Sequence, residues 1–262
     1  MTDRFKYYFN KIKISRKYSA NGWGFIKYLF LTPFFRVFNF QYKGARFFIR
    51  REDFVSLDEI LDGDEYAIIN RLPQDKNHIA FDLGANIGLF SLYFLNRFPL
   101  AKVISVEAST NTYEILQKTI QHQRNPNWTG MNKAVYNELT TIYFTNSGSS
   151  TARKILDNNS HSSAEKCETI TINDLINLAG SNDTINSCIT IKMDIEGAEE
   201  KVVLQNNGWL EKVDFLIIEL HENVDKHRIT DTLNTFFNYT LDLSRGNSQK
   251  PLLLFSKQEI KK

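Results

Sequence analysis

From Ile79 onward, short apolar runs of about five residues alternate with longer stretches in which apolar side chains recur every three or four positions. Residues 79–83, 102–106, 130–135, 189–193 and 215–220 have the length and composition of strands buried on both faces. Between them, residues 89–98, 111–123 and 198–206 keep helical period, as in the ladder Ile115, Leu116, Thr119, Ile120. Strand alternating with helix requires right-handed crossovers, so the pattern predicts a doubly wound α/β domain with a mostly parallel sheet covered on both sides.

Two stretches break the alternation. Residues 139–171 hold a strand at 141–145, a polar loop NSGSSTA at 146–152, and a second strand at 168–171 that feeds a helix from Asn173. Near the C-terminus, strands at 239–243 and 252–255 flank the turn-rich SRGNSQKP, which predicts a hairpin closing one sheet edge. No internal repeat or low-complexity segment is present.

Charge divides the chain in a way the apolar pattern does not. Residues 1–51 carry twelve Lys or Arg against one acid, Asp3, while the remainder holds 20 basic and 29 acidic residues. The same 51 residues contain 16 of the 34 aromatics. A basic aromatic arm or cap (1–51) therefore precedes a mildly acidic body (52–262). No run approaches the roughly 18 uninterrupted apolar residues of a membrane span, and the N-terminus lacks the pattern of a signal peptide. The expected location is cytoplasmic. Cys167 and Cys188 are too far apart for a zinc pair and too few for a disulfide framework, so both are expected as buried thiols.

The densest chemistry begins at FDLGANIGLF, residues 81–90, where a strand ends in D-x-G-x-N-x-G. In an open α/β sheet, ligands bind beyond the strand C-termini, where strand order reverses. Gly84 and Gly88 would remove side chains where a ligand must approach the backbone and where the following helix must pack closely on the strand. The spacing is not the dinucleotide fingerprint, and Asp82 would repel a pyrophosphate at the helix N-terminus while favouring a cationic ligand such as S-adenosylmethionine. Glu107, at the end of the next strand, is placed to accept hydrogen bonds from a ribose diol. The plainer alternative is that the glycines serve helix packing alone and Glu107 is a solvated strand-end charge.

A second acidic cluster lies in ITIKMDIEGAEEKVV, residues 189–203. Asp194 leaves a strand end toward the same crevice, and the strand of DFLIIELHE delivers Glu219 and His221 on one side. Methyl transfer from a sulfonium is an in-line displacement that needs a positioned acceptor and a group to take its proton. Asp194 and His221 are the base candidates, with Glu219 beside them. Alternatively, Asp194, Glu219 and His221 could hold one Mg²⁺. Glu196 and Glu199 fall in the first turn of a helix, where acids favour the dipole without any catalytic part.

With these residues in view, FDLGANIGLFSLYF, VEAST, NKAV, IKMDIEGAEEKVVL and IIELHE resemble the FkbM family of class I S-adenosylmethionine-dependent methyltransferases, across residues 50–255. The resemblance implies a Rossmann-like sheet of six parallel strands and one antiparallel. It also implies O-methylation, often of sugars in polysaccharide or natural-product pathways. By position, Asp82, Gly84, Ala85, Asn86 and Gly88 would wrap the methionine and ribose, Glu107 would hold the ribose, Ala134 would lie near the adenine, and Asp194 would face the acceptor.

The arm lies outside the resemblance. Its run GWGFIKYLFLTPFFRVF either rests on an anionic membrane surface, bringing the enzyme to a lipid-linked glycan, or packs over the catalytic domain as a lid or dimer contact. Nucleic acid is the weaker partner expectation, because basic residues are confined to the arm. Ser147, Gly148, Ser149 and Ser150 form a candidate loop for substrate hydroxyls, a composition equally common with no role. From other classes, a non-catalytic scaffold that keeps the fold and a nicotinamide-dependent oxidoreductase are the alternatives.

Overall fold

The computed structural model describes residues 3–21, 26, 28, 36–145, 155–156, 164–180, 187–244 and 250–260. Helix α1 (Asp3–Tyr18) and a hairpin of β1 (Phe38–Tyr42) and β2 (Ala45–Ile49) come first, followed by short helical turns at 51–62 and 67–71. Then β3 (Asn77–Leu83), α2 (Leu89–Arg97), β4 (Lys102–Val106), α3 (Thr110–Gln123) and β5 (Trp128–Met131) alternate. A small sheet comprises β6 (Ala134–Val135), β7 (Thr141–Thr145), β8 (Ile155–Leu156) and β9 (Ala164–Ile170). Alternation resumes with α4 (Ile172–Ala179), β10 (Ser187–Met193), α5 (Glu199–Leu204), β11 (Phe215–Glu219) and α6 (Lys226–Asn234), and ends in β12 (Tyr239–Asp242) and β13 (Leu252–Ser256).

The main sheet has seven strands in the order β12-β13-β11-β10-β3-β4-β5. Only β13 runs antiparallel to its neighbours, which leaves the six parallel strands and one antiparallel of a Rossmann-like doubly wound domain. The chain walks outward from β3 through β4 to β5, then returns to place β10 on the other side of β3. Strand order thus reverses between β3 and β10, and the crevice above that pair is where such folds hold ligands.

Period two in the strands sorts side chains between two cores. Ile79, Phe81, Leu83, Ile104 and Ile191 pack with α4, α5 and α6, whereas Ala80, Val103 and Cys188 pack on the opposite face with α2 and the N-terminal hairpin. Asp82 and Lys192 lie at alternate positions that share this second face. Helix α4 begins with a capping box, Thr171 Oγ1 accepting from the Asp174 N–H at 3.1 Å while the Asp174 carboxylate bonds back to Thr171.

The strand expected at 130–135 is two strands in two sheets. Asn132 breaks it: its side-chain amide donates to the carbonyls of Glu107 at 2.9 Å and Ala108 at 3.1 Å, which pins the exit from β5 and frees Ala134 to pair with β9 instead. The loop at 146–152, with Ser147 to Ser150, falls outside the described residues, as do 245–249 of the C-terminal turn.

Part of the arm packs on the domain. Ile14, Tyr18, Phe40 and Phe47 share a core with Leu92 and Val103. Tyr42 stacks on Tyr93 of α2 with ring centroids 6.1 Å apart, and the Phe48 N–H donates to Thr119 Oγ1 of α3 at 3.1 Å. Most of the run at 22–35 lies outside the described residues. Among the described residues no helix is long and apolar enough to cross a membrane.

Candidate active site

β3 and β10 run in register, Asp82 opposite Lys192 and Leu83 opposite Met193, so the turns leaving them are neighbours. Gly84 follows β3 at φ 72°, and a Cβ there would collide with the carbonyl oxygen of Asp194. Glycine lets the two turns touch backbone to backbone. Gly88, at φ 86°, precedes α2, and a Cβ on it would sit 2.6 Å from Leu116 Cδ1 and 3.1 Å from Trp128 Cζ2. Both glycines therefore serve close packing, and Gly88 does not reach the crevice. The packing places Ala85 and Asn86 instead.

The N–H groups of Gly84 and Ala85 donate to the Val106 carbonyl at 3.0 and 2.9 Å, strapping the turn to β4. Asn86, held at φ 49°, donates its N–H to Glu107 Oε2 at 2.9 Å, and the Ser109 N–H donates to Oε1 at 2.9 Å. Two backbone donors thus fix the Glu107 carboxylate on the wall of a cavity of about 580 Å³. That volume is within the usual range for small-ligand sites. Gly84, Ala85, Asn86, Glu107 and Ala134 all line it, with Ile142 and Phe144 supplying an apolar wall beside Ala134.

Asp82 does not line it. Its carboxylate is fully buried: Oδ2 accepts from Ser91 Oγ at 2.6 Å and the Ser91 N–H at 3.3 Å, and Oδ1 lies 3.5 Å from Lys192 Nζ. Where the sequence expectation sets Asp82 against a cofactor, the structure turns its carboxylate to Ser91 and Lys192. Asp82 fixes the start of α2 and steadies Lys192, whose Nζ donates to the Gly84 carbonyl at 2.6 Å and lies 3.6 Å from Asp194 Oδ2. Burial alone would lower the Lys192 pKa, but the carboxylates of Asp194 and Asp82 outweigh it and raise the pKa, so the lysine is a cation clamped between two acids. Asp82 thus has a buried cation beside it and does not face the cavity. Among the described residues, seven carboxylates and three lysines line the cavity, a balance that favours a cationic ligand over a diphosphate.

At the other end, Asp194 and Glu219 line the cavity and His221 sits behind them, 4% exposed. His221 Nδ1 is 2.8 Å from Glu199 Oε1, and Nε2 lies 3.2 Å from Glu196, 3.6 Å from Asp194 Oδ1 and 3.7 Å from Glu219 Oε1. Burial acts to lower the His221 pKa, yet the carboxylates of Glu196, Glu199 and Asp194 together raise it to about 10. The ring is set back from the cavity, behind Asp194 and Glu219, which line it. Glu219 is pushed up to about 7, first by burial and then by Asp194, against the opposing charges of His221 and Lys250.

Three residues of this site escaped the sequence reading. Lys192 left a signal, a lysine inside the otherwise apolar ITIKM of a buried strand. Glu199 was read as a helix-dipole acid, but it is fully buried and accepts from the Ile195 N–H at 3.2 Å as well as holding His221. Glu196 adopts φ 56°, a conformation seldom taken by a residue with a side chain, and this turns its carboxylate toward the histidine.

A family profile described as "Methyltransferase FkbM domain" matches residues 82–242. The chain belongs to this methyltransferase family. Among curated proteins it is similar to methyltransferase sdnD of Sordaria araneosa, 40% identical over 45 residues, a match that spans 17% of each chain. Among solved structures it is similar to a SAM-dependent methyltransferase from Agrobacterium tumefaciens, at 10% identity and TM-score 0.44, over 86% of this chain and 71% of that one. It is also similar to a precorrin-6y methyltransferase from Geobacter metallireducens, at 10% identity and TM-score 0.41, over 72% of this chain and 84% of that one.

Proposed function

We propose that the protein is an S-adenosylmethionine-dependent O-methyltransferase acting on a sugar hydroxyl, with Asp194 meeting the acceptor. The observation that supports this best is the two-ended cavity: a carboxylate fixed by backbone donors and flanked by an apolar wall at one end, and half-buried acids at the other. Glu107 fits a ribose diol, Ala134 with Ile142 and Phe144 fits a flat base, and the backbone of Gly84 to Asn86 with the net negative lining fits a cationic amino-acid portion. S-adenosylmethionine supplies an electrophilic methyl group on a sulfonium.

The chain's own residues do the rest. The Asp194 side chain is 30% exposed, its N–H is tied to the Leu83 carbonyl at 3.0 Å, and Lys192 holds its Oδ2. Oδ1 lies 3.6 Å from His221 Nε2, and the carboxylate on the cavity wall can orient an acceptor hydroxyl and draw on its proton, an effect typically of about 100- to 10,000-fold. Ser56, Glu65, Ser244 and Lys250 put hydrogen-bonding groups around the remaining space, which suits a polyhydroxylated acceptor.

The test is transfer of labelled methyl from S-adenosylmethionine to a panel of monosaccharides and nucleotide sugars. Transfer that falls about 100-fold or more in Asp194→Asn supports the reading. Turnover on none of the sugars, with turnover on an amine or a nucleic acid, refutes its acceptor class.

A further inference from the structure

We propose that Asp194, Glu219 and His221 form a site for one divalent first-row cation of the Mn²⁺ or Zn²⁺ class, at the acceptor end of the cavity. One ligand atom from each of the three lies within 4.8 Å of the others, and His221 Nε2 is 3.6 Å from Asp194 Oδ1 and 3.7 Å from Glu219 Oε1. Two bonds of about 2.1 Å meeting at about 120° span nearly that distance, so a cation can sit between these atoms with little movement.

A separate observation points to a ligand. His221 is almost wholly buried, yet Nε2 makes no aligned hydrogen bond, while Nδ1 is held by the fully buried Glu199. An imidazole with one nitrogen fixed by a carboxylate and the other facing three more, Glu196 at 3.2 Å nearest and then Asp194 and Glu219, has the arrangement of a metal-ligating histidine with its outer partner in place. Binding requires Nε2 to give up its proton, as ligating imidazoles do. Lys192 occupies Oδ2 of Asp194 and leaves Oδ1 for the ion, and Lys250, 3.9 Å from Glu219 Oε1 near the mouth, is the cation it would displace.

The donor set chooses the metal. Carboxylates alone suit Mg²⁺, whereas an imidazole among them favours first-row transition ions and Zn²⁺. Because Asp194 and Glu219 line the cavity, the remaining coordination positions face it, and a hydroxyl bound there would be acidified. This last consequence rests on the methyl-transfer reading; the binding itself does not.

The experiment strips the full chain with EDTA and titrates it calorimetrically with MnCl₂, ZnCl₂ and MgCl₂, beside Glu219→Gln and Glu199→Gln variants whose fold is checked by circular dichroism. The expected result is one Mn²⁺ or Zn²⁺ per chain, bound more tightly than Mg²⁺ and weakened about tenfold or more in both variants. No saturable binding of either ion, or binding unchanged in a folded Glu219→Gln chain, overturns the proposal. S-adenosylmethionine binding without saturable metal would remove this inference and leave the methyltransferase reading intact.

Discussion

A side chain on Gly84 would occupy the place of the Asp194 carbonyl oxygen, so the turn after β3 and the turn after β10 form one backbone-to-backbone unit. In the proposed reading the first turn carries the cofactor end of the cavity and the second the acceptor end. Gly84→Ala forces them apart and also puts a Cβ at φ 72°. Destabilisation of at least about 2 kcal/mol is expected, read as a melting temperature lowered by roughly 5 °C or more. Gly208→Ala is the control, because a Cβ there meets nothing within 4 Å.

Lys192 is the second test of that unit. Removing its charge in Lys192→Met leaves Asp82 buried without its cation, at a cost of about 3 to 5 kcal/mol in urea unfolding. Asp82→Asn added to Lys192→Met should recover a large part of the loss. Additive losses in the double variant would mean that the pair is not coupled.

Glu107→Gln keeps the shape of the side chain and weakens its acceptor strength toward a ribose diol. Affinity for S-adenosylmethionine is expected to fall about 10- to 100-fold, while the melting temperature of the ligand-free chain changes little. A variant that binds as tightly as the parent would assign Glu107 to the turn alone.

The thiols give a pH-dependent expectation. Burial pushes Cys167 up to about 11 and Cys188 up to about 12. The reactive thiolate is therefore scarce in the folded chain below those values, and labelling by iodoacetamide at pH 8 should be slow until denaturant is added. Fast labelling at pH 8 without unfolding would contradict the packing around β9 and β10.

What the sequence revealed, and what it hid, follows from how local each feature is. Short apolar runs place the central strands β3, β4, β10 and β11 within two residues, because burial on both faces leaves a continuous local signal, whereas 130–135 divides into two strands and the strand expected at 168–171 begins at Ala164. Phe38, Phe40 and Tyr42 keep the same period two, but aromatics crowd the whole arm and blur it, and the β1–β2 hairpin is a feature the sequence pattern does not predict. Asp82 reads locally as a crevice acid because its partner Lys192 lies far along the chain, and only the pairing of β3 with β10 brings them together. Glu199 shows the same limit: a first-turn acid is locally a dipole partner, and only β11 carries His221 to it.

The central claim is that the cavity between Glu107 and Asp194 receives S-adenosylmethionine. Calorimetric titration of the purified chain with S-adenosylmethionine, beside NAD and beside Glu107→Gln, tests it most directly. Micromolar binding of the sulfonium cofactor alone, weakened in the variant, is the predicted result. Binding of NAD in its place, or no binding of either, would contradict the account.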